Sequence, residues 1–193
     1  MADFKKAYKK LMELETGSAE NALTVLPTEN NMTFMGIYRS AHPKWKGWQI
    51  VDEAVSKCGF KKAGAILCDD REINKMVESF YKKEFWDGIK GDEIENDDIA
   101  RNIFIFAVNA GVNIAVKKAQ RIIDVKTDGI LGNITLKALN VYPPKEFVRK
   151  YKESLRVFYQ SLAEKDASKT IFLKGWTKRV KVSQAYIDFL CYA

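Results

Sequence analysis

The segment Asp97-Asp98-Ile99-Ala100-Arg101-Asn102-Ile103-Phe104-Ile105-Phe106-Ala107-Val108-Asn109-Ala110-Gly111 decides the fold class. Two acids at its head suit the positive end of a helix dipole, and the glycine at its foot ends the run. Between them Ile103, Phe104, Phe106, Ala107 and Val108 leave almost no polar face. A helix that is apolar on nearly all sides is buried by other elements, so this stretch predicts a central helix with others packed around it.

Working outward, a period near 3.6 continues on both sides. Upstream it predicts helices over about 3–16 (Phe4, Tyr8, Leu11), 47–58 (Trp48, Val51, Val55) and 70–85 (Ile73, Val77, Phe80, Tyr81), the last opened by Asp69-Asp70. Downstream it predicts helices over about 113–123 with Asn113 as cap, 133–139, 144–165 behind Pro143-Pro144, and 170–189 with Trp176, Val180 and Tyr186. The stretch from residue 17 to about 46 reads as a loop, and no segment shows the alternation of a half-buried strand. The expected fold is all-α, with a soft division near residue 111 between lobes 1–110 and 111–193.

The 193 residues, 47% hydrophobic and 30% charged, can bury a sizeable core and exclude a disordered or collagen-like chain. No apolar run approaches the roughly 20 residues that span a bilayer, so stable membrane insertion is not expected. Met1-Ala2-Asp3-Phe4-Lys5-Lys6 runs straight into an amphipathic pattern, which predicts synthesis in the cytoplasm without a signal peptide. Cys58, Cys68, Cys191 and the single histidine, His42, make no metal-ligand set, and no cofactor or metal is expected. The net charge of +7 favours a polyanionic partner: nucleic acid, an anionic membrane surface or a cell wall. A nucleic-acid binder gains from the charge but has no helix-turn-helix or aromatic-basic register here.

On a wheel of about 100° per residue, Phe4, Tyr8, Leu11 and Glu15 fall within about 40° of one another, while Glu13 lies opposite. Glu15 therefore points towards the core, where burial favours the protonated form that a general acid in glycoside hydrolysis needs. The alternative is a helix that ends near residue 14 and leaves Glu15 in solvent beside Gly17.

Several further elements occur in a characteristic order: Glu15-Thr16-Gly17; Thr33-Phe34-Met35-Gly36-Ile37; Phe85-Trp86; Ala107, Asn109, Gly111, Ala115 and Gln120; Asp128-Gly129-Ile130-Leu131-Gly132-Asn133-Ile134-Thr135; and Gly175-Trp176-Thr177-Lys178-Arg179. In this order the chain resembles the N-acetylmuramidases of glycoside hydrolase family 108, a group of phage endolysins and bacterial proteins labelled secretion activators. Two departures stand out. Thr16-Gly17-Ser18 replaces the usual Gly-Gly-Tyr, and Asn21–Pro27 replaces an Asp/Pro/Gly-rich loop centre. The resemblance implies a lysozyme-like helical domain followed by a helical peptidoglycan-binding-like unit. It also implies cleavage of the β-1,4 bond between N-acetylmuramic acid and N-acetylglucosamine, with Glu15 as the acid and Asn109 at the substrate. Peptidoglycan is then the partner, reached after release by a holin or through a dedicated secretion system. A catalytically inactive wall-binding or secretion-accessory protein of the same fold is the alternative.

A second carboxylate that activates water is sought first at Glu29 and then at Asp52; Thr33 is a further candidate, holding the water by its hydroxyl. Tyr38, Trp45, Trp48 and Trp86 offer apolar faces for sugar rings, with Trp48 and Trp86 expected to be largely buried and Tyr38 and Trp45 to line the groove. Asp128-Gly129 reads as a tight turn rather than a calcium loop. Lys126, Lys137, Lys174, Lys178, Arg179 and Lys181 read as a basic surface towards the anionic wall.

Overall fold

The structure is a computed structural model that describes residues 1–15, 22–26 and 31–165, with backbone alone at 15, 26 and 31. The expected helix over 170–189, with Trp176, Lys174, Lys178, Arg179 and Lys181, lies outside the described residues, as do Cys191 and Glu29. Eight α-helices dominate the described residues: α1 (Phe4–Glu15), α2 (Gly47–Cys58), α3 (Phe60–Asp69), α4 (Arg71–Tyr81), α5 (Asp97–Ala110), α6 (Val112–Ile122), α7 (Asn133–Val141) and α8 (Pro144–Lys165). Three short strands, β1 (Leu23–Leu26), β2 (Asn31–Phe34) and β3 (Ile37–Tyr38), form an antiparallel sheet in the order β1-β2-β3. The fold is predominantly helical and lysozyme-like, with this sheet as an addition to the expected all-α plan.

Two compact units divide the chain: Lys5–Glu84, and Met1–Phe4 together with Phe85 onward. In the second, α5 is the buried centre, with Ile99, Ala100, Ile103, Phe104, Phe106 and Ala107 sealed from solvent. Helices α6 and α8 pack on it. Asn96 is the true cap of α5, its Oδ1 accepting from the backbone N–H groups of Asp98 (3.0 Å) and Ile99 (3.1 Å), while the two acids fill the first turn. Gly111, at φ 89°, ends α5 and opens α6. Asn113 does not cap α6, because the helix has already begun at Val112. The Asn113 side chain instead lies so close to Gly129 that a Cβ there would stand 2.2 Å from its amide nitrogen.

In the first unit α2, α3 and α4 pack on one another, and α3 meets β1. Helix α4 starts at Asp70 as expected: its Oδ1 accepts from Glu72 N–H (2.8 Å) and Ile73 N–H (3.1 Å). Beyond Tyr81 the backbone widens into a π-helical turn, Lys82–Trp86, so the expected helix over 70–85 is really α4 followed by this turn. The hairpin between β2 and β3 turns through Met35 (φ 45°) and Gly36 (φ 81°), the pair of positive φ angles that a two-residue type I′ turn requires. The tight spacing of Thr33, Gly36 and Ile37 is thereby explained: Gly36 makes the turn, and its neighbours pair across it. Tyr81 on α4 fastens the turn by donating its hydroxyl to the Met35 carbonyl at 2.8 Å.

Candidate functional site

The hairpin sets the first side chains. Thr33, at the middle of β2, lies opposite Thr24 on β1 and Tyr38 on β3. It is only 8% exposed, and its Oγ1 has no hydrogen-bond partner among the described residues. A buried hydroxyl without a partner costs roughly 1–3 kcal/mol, a penalty that a bound water or substrate oxygen removes. Tyr38 is 44% exposed and leaves its ring open to solvent.

Past β3 the chain is fixed by Arg39. Its guanidinium grips Asp52 on α2 through two bonds, at 2.5 and 2.7 Å, and lies 5.2 Å from the ring centre of Trp48. That hydrogen bond holds the Asp52 carboxyl below the usual carboxylate range and commits one acceptor site of each oxygen to Arg39. Trp48, 3% exposed, donates its indole N–H to the His42 carbonyl at 2.7 Å and props the loop from beneath. The His42 ring packs edge-on to Phe80 on α4, with centroids 4.7 Å apart.

Trp45 is half-buried. Its indole stacks over Phe34 and meets Trp48 and Phe80 edge-on. It also lies directly over Gly47, where a Cβ would come 2.3 Å from the ring. Trp45, Phe80 and Met76 line the apolar part of a groove of about 730 Å³, whose remaining lining comes largely from charged residues of α4 and of the 44–46 loop.

A second cavity, of about 360 Å³, lies between α1, α4 and the hairpin turn. Tyr8 and Met12 of α1, Met35 of the turn, and Arg71, Asn74, Lys75 and Glu78 of α4 line it, and Arg71 and Lys75 are shared with the larger groove. Burial raises the Tyr8 phenol far above its ordinary pKa, and the nearby Glu78 adds to the shift. Glu78 is a carboxylate that sequence reasoning missed: on α4 it stands one residue beyond Val77 of the apolar stripe, and only the approach of α1 reveals it as a cavity residue. Helix α1 continues through Glu15, whose side chain lies outside the described residues.

Two of the expected sugar-facing residues stand in the other unit. Trp86 is fully buried between Phe4 and Phe104 (centroids at 5.5 Å to each) and donates its N–H to Asp92 at 2.7 Å, so its ring has no free face. Asn109 is exposed on α5.

In the same unit the Asp128-Gly129 segment is a turn built around the fully buried Gln120. The Gln120 amide nitrogen donates to Asp128 (2.8 Å), to the Ile130 carbonyl (3.1 Å) and to the Thr135 hydroxyl (3.1 Å), while its oxygen accepts from Gly129 N–H at 2.8 Å. The spaced Gln, Asp, Gly and Thr are thus one hydrogen-bond knot. Among the described residues no three His, Cys, Asp or Glu side chains stand together as metal ligands.

Comparison with known proteins divides the chain between residues 111 and 114, beyond the boundary of the two compact units at Glu84 and Phe85. The glycosyl hydrolase 108 family model matches residues 18–111. A model described as a predicted peptidoglycan domain matches residues 114–181. No curated protein matches the sequence. The solved structure of Brucella abortus SagA has a similar fold, with a TM-score of 0.66 at 22% identity, over 95% of this chain and 92% of that one. A region that matches the glycosyl hydrolase 108 family thus leads directly into one that matches a peptidoglycan module, and the pair supports a glycoside hydrolase that acts on peptidoglycan.

Proposed function

We propose that the protein is an N-acetylmuramidase that cleaves the β-1,4 bond between N-acetylmuramic acid and N-acetylglucosamine, with Glu15 as general acid. The observation that carries this reading is the cavity between α1 and α4. Position 15 follows Tyr8 by seven residues and Met12 by three along α1, the spacing that keeps residues on one helical face. The acid would protonate the leaving glycosidic oxygen. Thr33, whose hydroxyl has no partner among the described residues, and Glu78, in the cavity wall, are the candidates for holding or activating the attacking water. Glu29 stays a further candidate. Tyr38 and Trp45 offer the open aromatic faces for sugar rings, and Trp48 supports them from below. We assign the region up to residue 110 to catalysis and the region from 111 onward to holding the wall polymer. No described helix is long and apolar enough to cross a membrane, and delivery to the wall through a holin-type lesion or a dedicated export system completes the reading.

The test is release of reducing ends from purified peptidoglycan, with borohydride trapping to show whether muramic acid or glucosamine carries the new end. Muramitol in the products, lost in Glu15→Gln, supports the proposal; glucosaminitol overturns the bond assignment. The replacement of Gly-Gly-Tyr by Thr16-Gly17-Ser18 favours a second reading, a wall-binding protein without catalysis. It predicts binding to the same material with no new reducing ends.

A further inference from the structure

Along α4 and into the π-helical turn that follows it, Arg71, Lys75, Ser79 and Lys83 recur every four residues, and Glu72, Met76, Phe80 and Glu84 form the adjacent row. Residues four apart lie about 6 Å from one another along a helix, so the first row is a file of cations beside a second row with apolar middle and acidic ends. All eight line the 730 Å³ groove, and Lys44 and Lys46 face them from the other wall on either side of Trp45. None of these five cations has a salt-bridge partner among the described residues, whereas Lys10, Arg39, Lys57, Lys90, Arg101, Lys150 and Arg156 all pair with acids. Unpaired cations gathered in one concave site raise the local concentration of an anionic ligand. With five cations and two carboxylates, the lining carries both signs with a net excess of three positive charges.

We propose that this groove binds the stem peptide of peptidoglycan, in its acidic form with the amine of its diamino acid free. This rests on the reading of peptidoglycan as the substrate. An uncrosslinked stem carries free carboxylates for Arg71, Lys75 and the lysines opposite, and one ammonium group for Glu72 or Glu84. A phosphodiester polymer has only negative charge and would leave the two glutamates repelled and unmatched. Trp45 lies in the same groove, so the sugar that bears the stem can rest on the indole while its peptide runs along α4. The groove would then select wall whose stems are neither amidated nor crosslinked.

Isothermal titration of the full chain at low ionic strength, with synthetic stem peptides, tests this. The free-acid peptide should bind, and the peptide amidated at its carboxylates should bind about tenfold more weakly. The double variant Arg71→Gln, Lys75→Gln should lose about tenfold for the acid form and nothing further for the amide. Glu72→Gln with Glu84→Gln should lose about threefold for the free-amine peptide and leave the N-acetylated peptide unchanged. Circular dichroism equal to that of the wild type keeps these surface variants interpretable. Equal affinity for acid and amide peptides overturns the proposal. So does a long-chain polyphosphate that binds in the groove more tightly than the acid peptide, which would assign the site to phosphate polymers. Because the readout is binding, it is independent of cleavage: peptide binding without reducing-end release would leave the groove standing and sink the hydrolase reading, and the reverse would do the opposite.

Discussion

The buried side-chain amide of Gln120 holds the carboxylate of Asp128 at 2.8 Å, and with it the whole turn that feeds α7. Gln120→Ala leaves Gly129 N–H and the Thr135 hydroxyl short of a partner in a sealed site. The expected loss is about 2–4 kcal/mol, from unpaired polar groups and the cavity left behind. Urea denaturation followed by far-UV circular dichroism measures it. Gln120→Glu should be as harmful, because a carboxylate cannot donate to Asp128; a neutral result would show that the knot is not a main support of this unit.

The same contact predicts a pH dependence. The Gln120 amide first, and Ile130 N–H second, hold the Asp128 carboxyl below its usual pKa. A depressed folded-state pKa contributes stability that is present above the unfolded value, near 4, and is lost as pH falls through the lower folded value. The melting temperature should therefore fall between about pH 4 and pH 2 more steeply in the wild type than in Asp128→Asn. Parallel curves for the two proteins would count against the assignment.

Three acids separate catalysis from surface charge. Glu13, on the exposed side of α1 and paired with Lys10 at 2.7 Å, should be replaceable by Gln with little change in reducing-end release. Glu15→Gln should abolish it. If Glu78 activates the water, Glu78→Gln should lower kcat by about 10²- to 10⁴-fold with little change in KM. Loss in KM alone would make Glu78 a binding residue, and Thr33→Ala is the parallel test for the hydroxyl.

Asp52 is expected to behave as a support. Asp52→Asn breaks the grip on Arg39, yet both side chains are more than a third exposed, so the stability cost should stay within about 1 kcal/mol. Reducing-end release should remain within about threefold of wild type. A catalytic defect as deep as that of Glu15→Gln would restore Asp52 as the second carboxylate.

Gly47 predicts the behaviour of Trp45. Gly47 opens α2, where alanine gains less than the roughly 1 kcal/mol it gains over glycine in a helix interior, while Gly47→Ala drives a methyl into the indole. The ring must move out of the groove. Gly47→Ala and Trp45→Ala should weaken sedimentation binding to insoluble peptidoglycan to a similar degree, and the near-UV dichroism of Gly47→Ala should change although its far-UV spectrum does not.

Much of the helical frame was legible because its apolar stripes are strong. Ile73, Val77 and Tyr81 on α4, and Phe147, Tyr151 and Leu155 on α8, are buried at the spacing the pattern demands. Helix α3 was missed because its buried face includes Ala63 and Gly64, which carry almost no hydrophobic signal, and because a glycine stands on each side of its first turn. The sheet was missed because alternation fails: Thr33 and Phe34 are adjacent on β2, and both are buried. At the site, the aromatic residues could be picked from their types, and the expected burial of Trp48 and Trp86 can be compared with 3% and 0% exposure. What no linear pattern shows is pairing across elements. The engagement of Asp52 by Arg39, the placement of Glu78 against Tyr8, and the file of cations along α4 and its π-helical turn, without salt-bridge partners among the described residues, all depend on which loop or helix comes to lie opposite.

Met35 illustrates a conflict between folding and use. At φ 45° a methionine pays the steric cost of a left-handed backbone, roughly 1–2 kcal/mol, that glycine or asparagine would largely avoid. Its side chain is also part of the cavity wall beside Met12 and Glu78. An engineer ranking positions by backbone fitness would choose Met35→Asn among the first stabilising exchanges, and the same exchange would strip an apolar wall from the pocket. Selection for thermal tolerance alone should therefore drift towards a sturdier protein with a poorer grip on its polymer, and position 35 is where that drift should first be read.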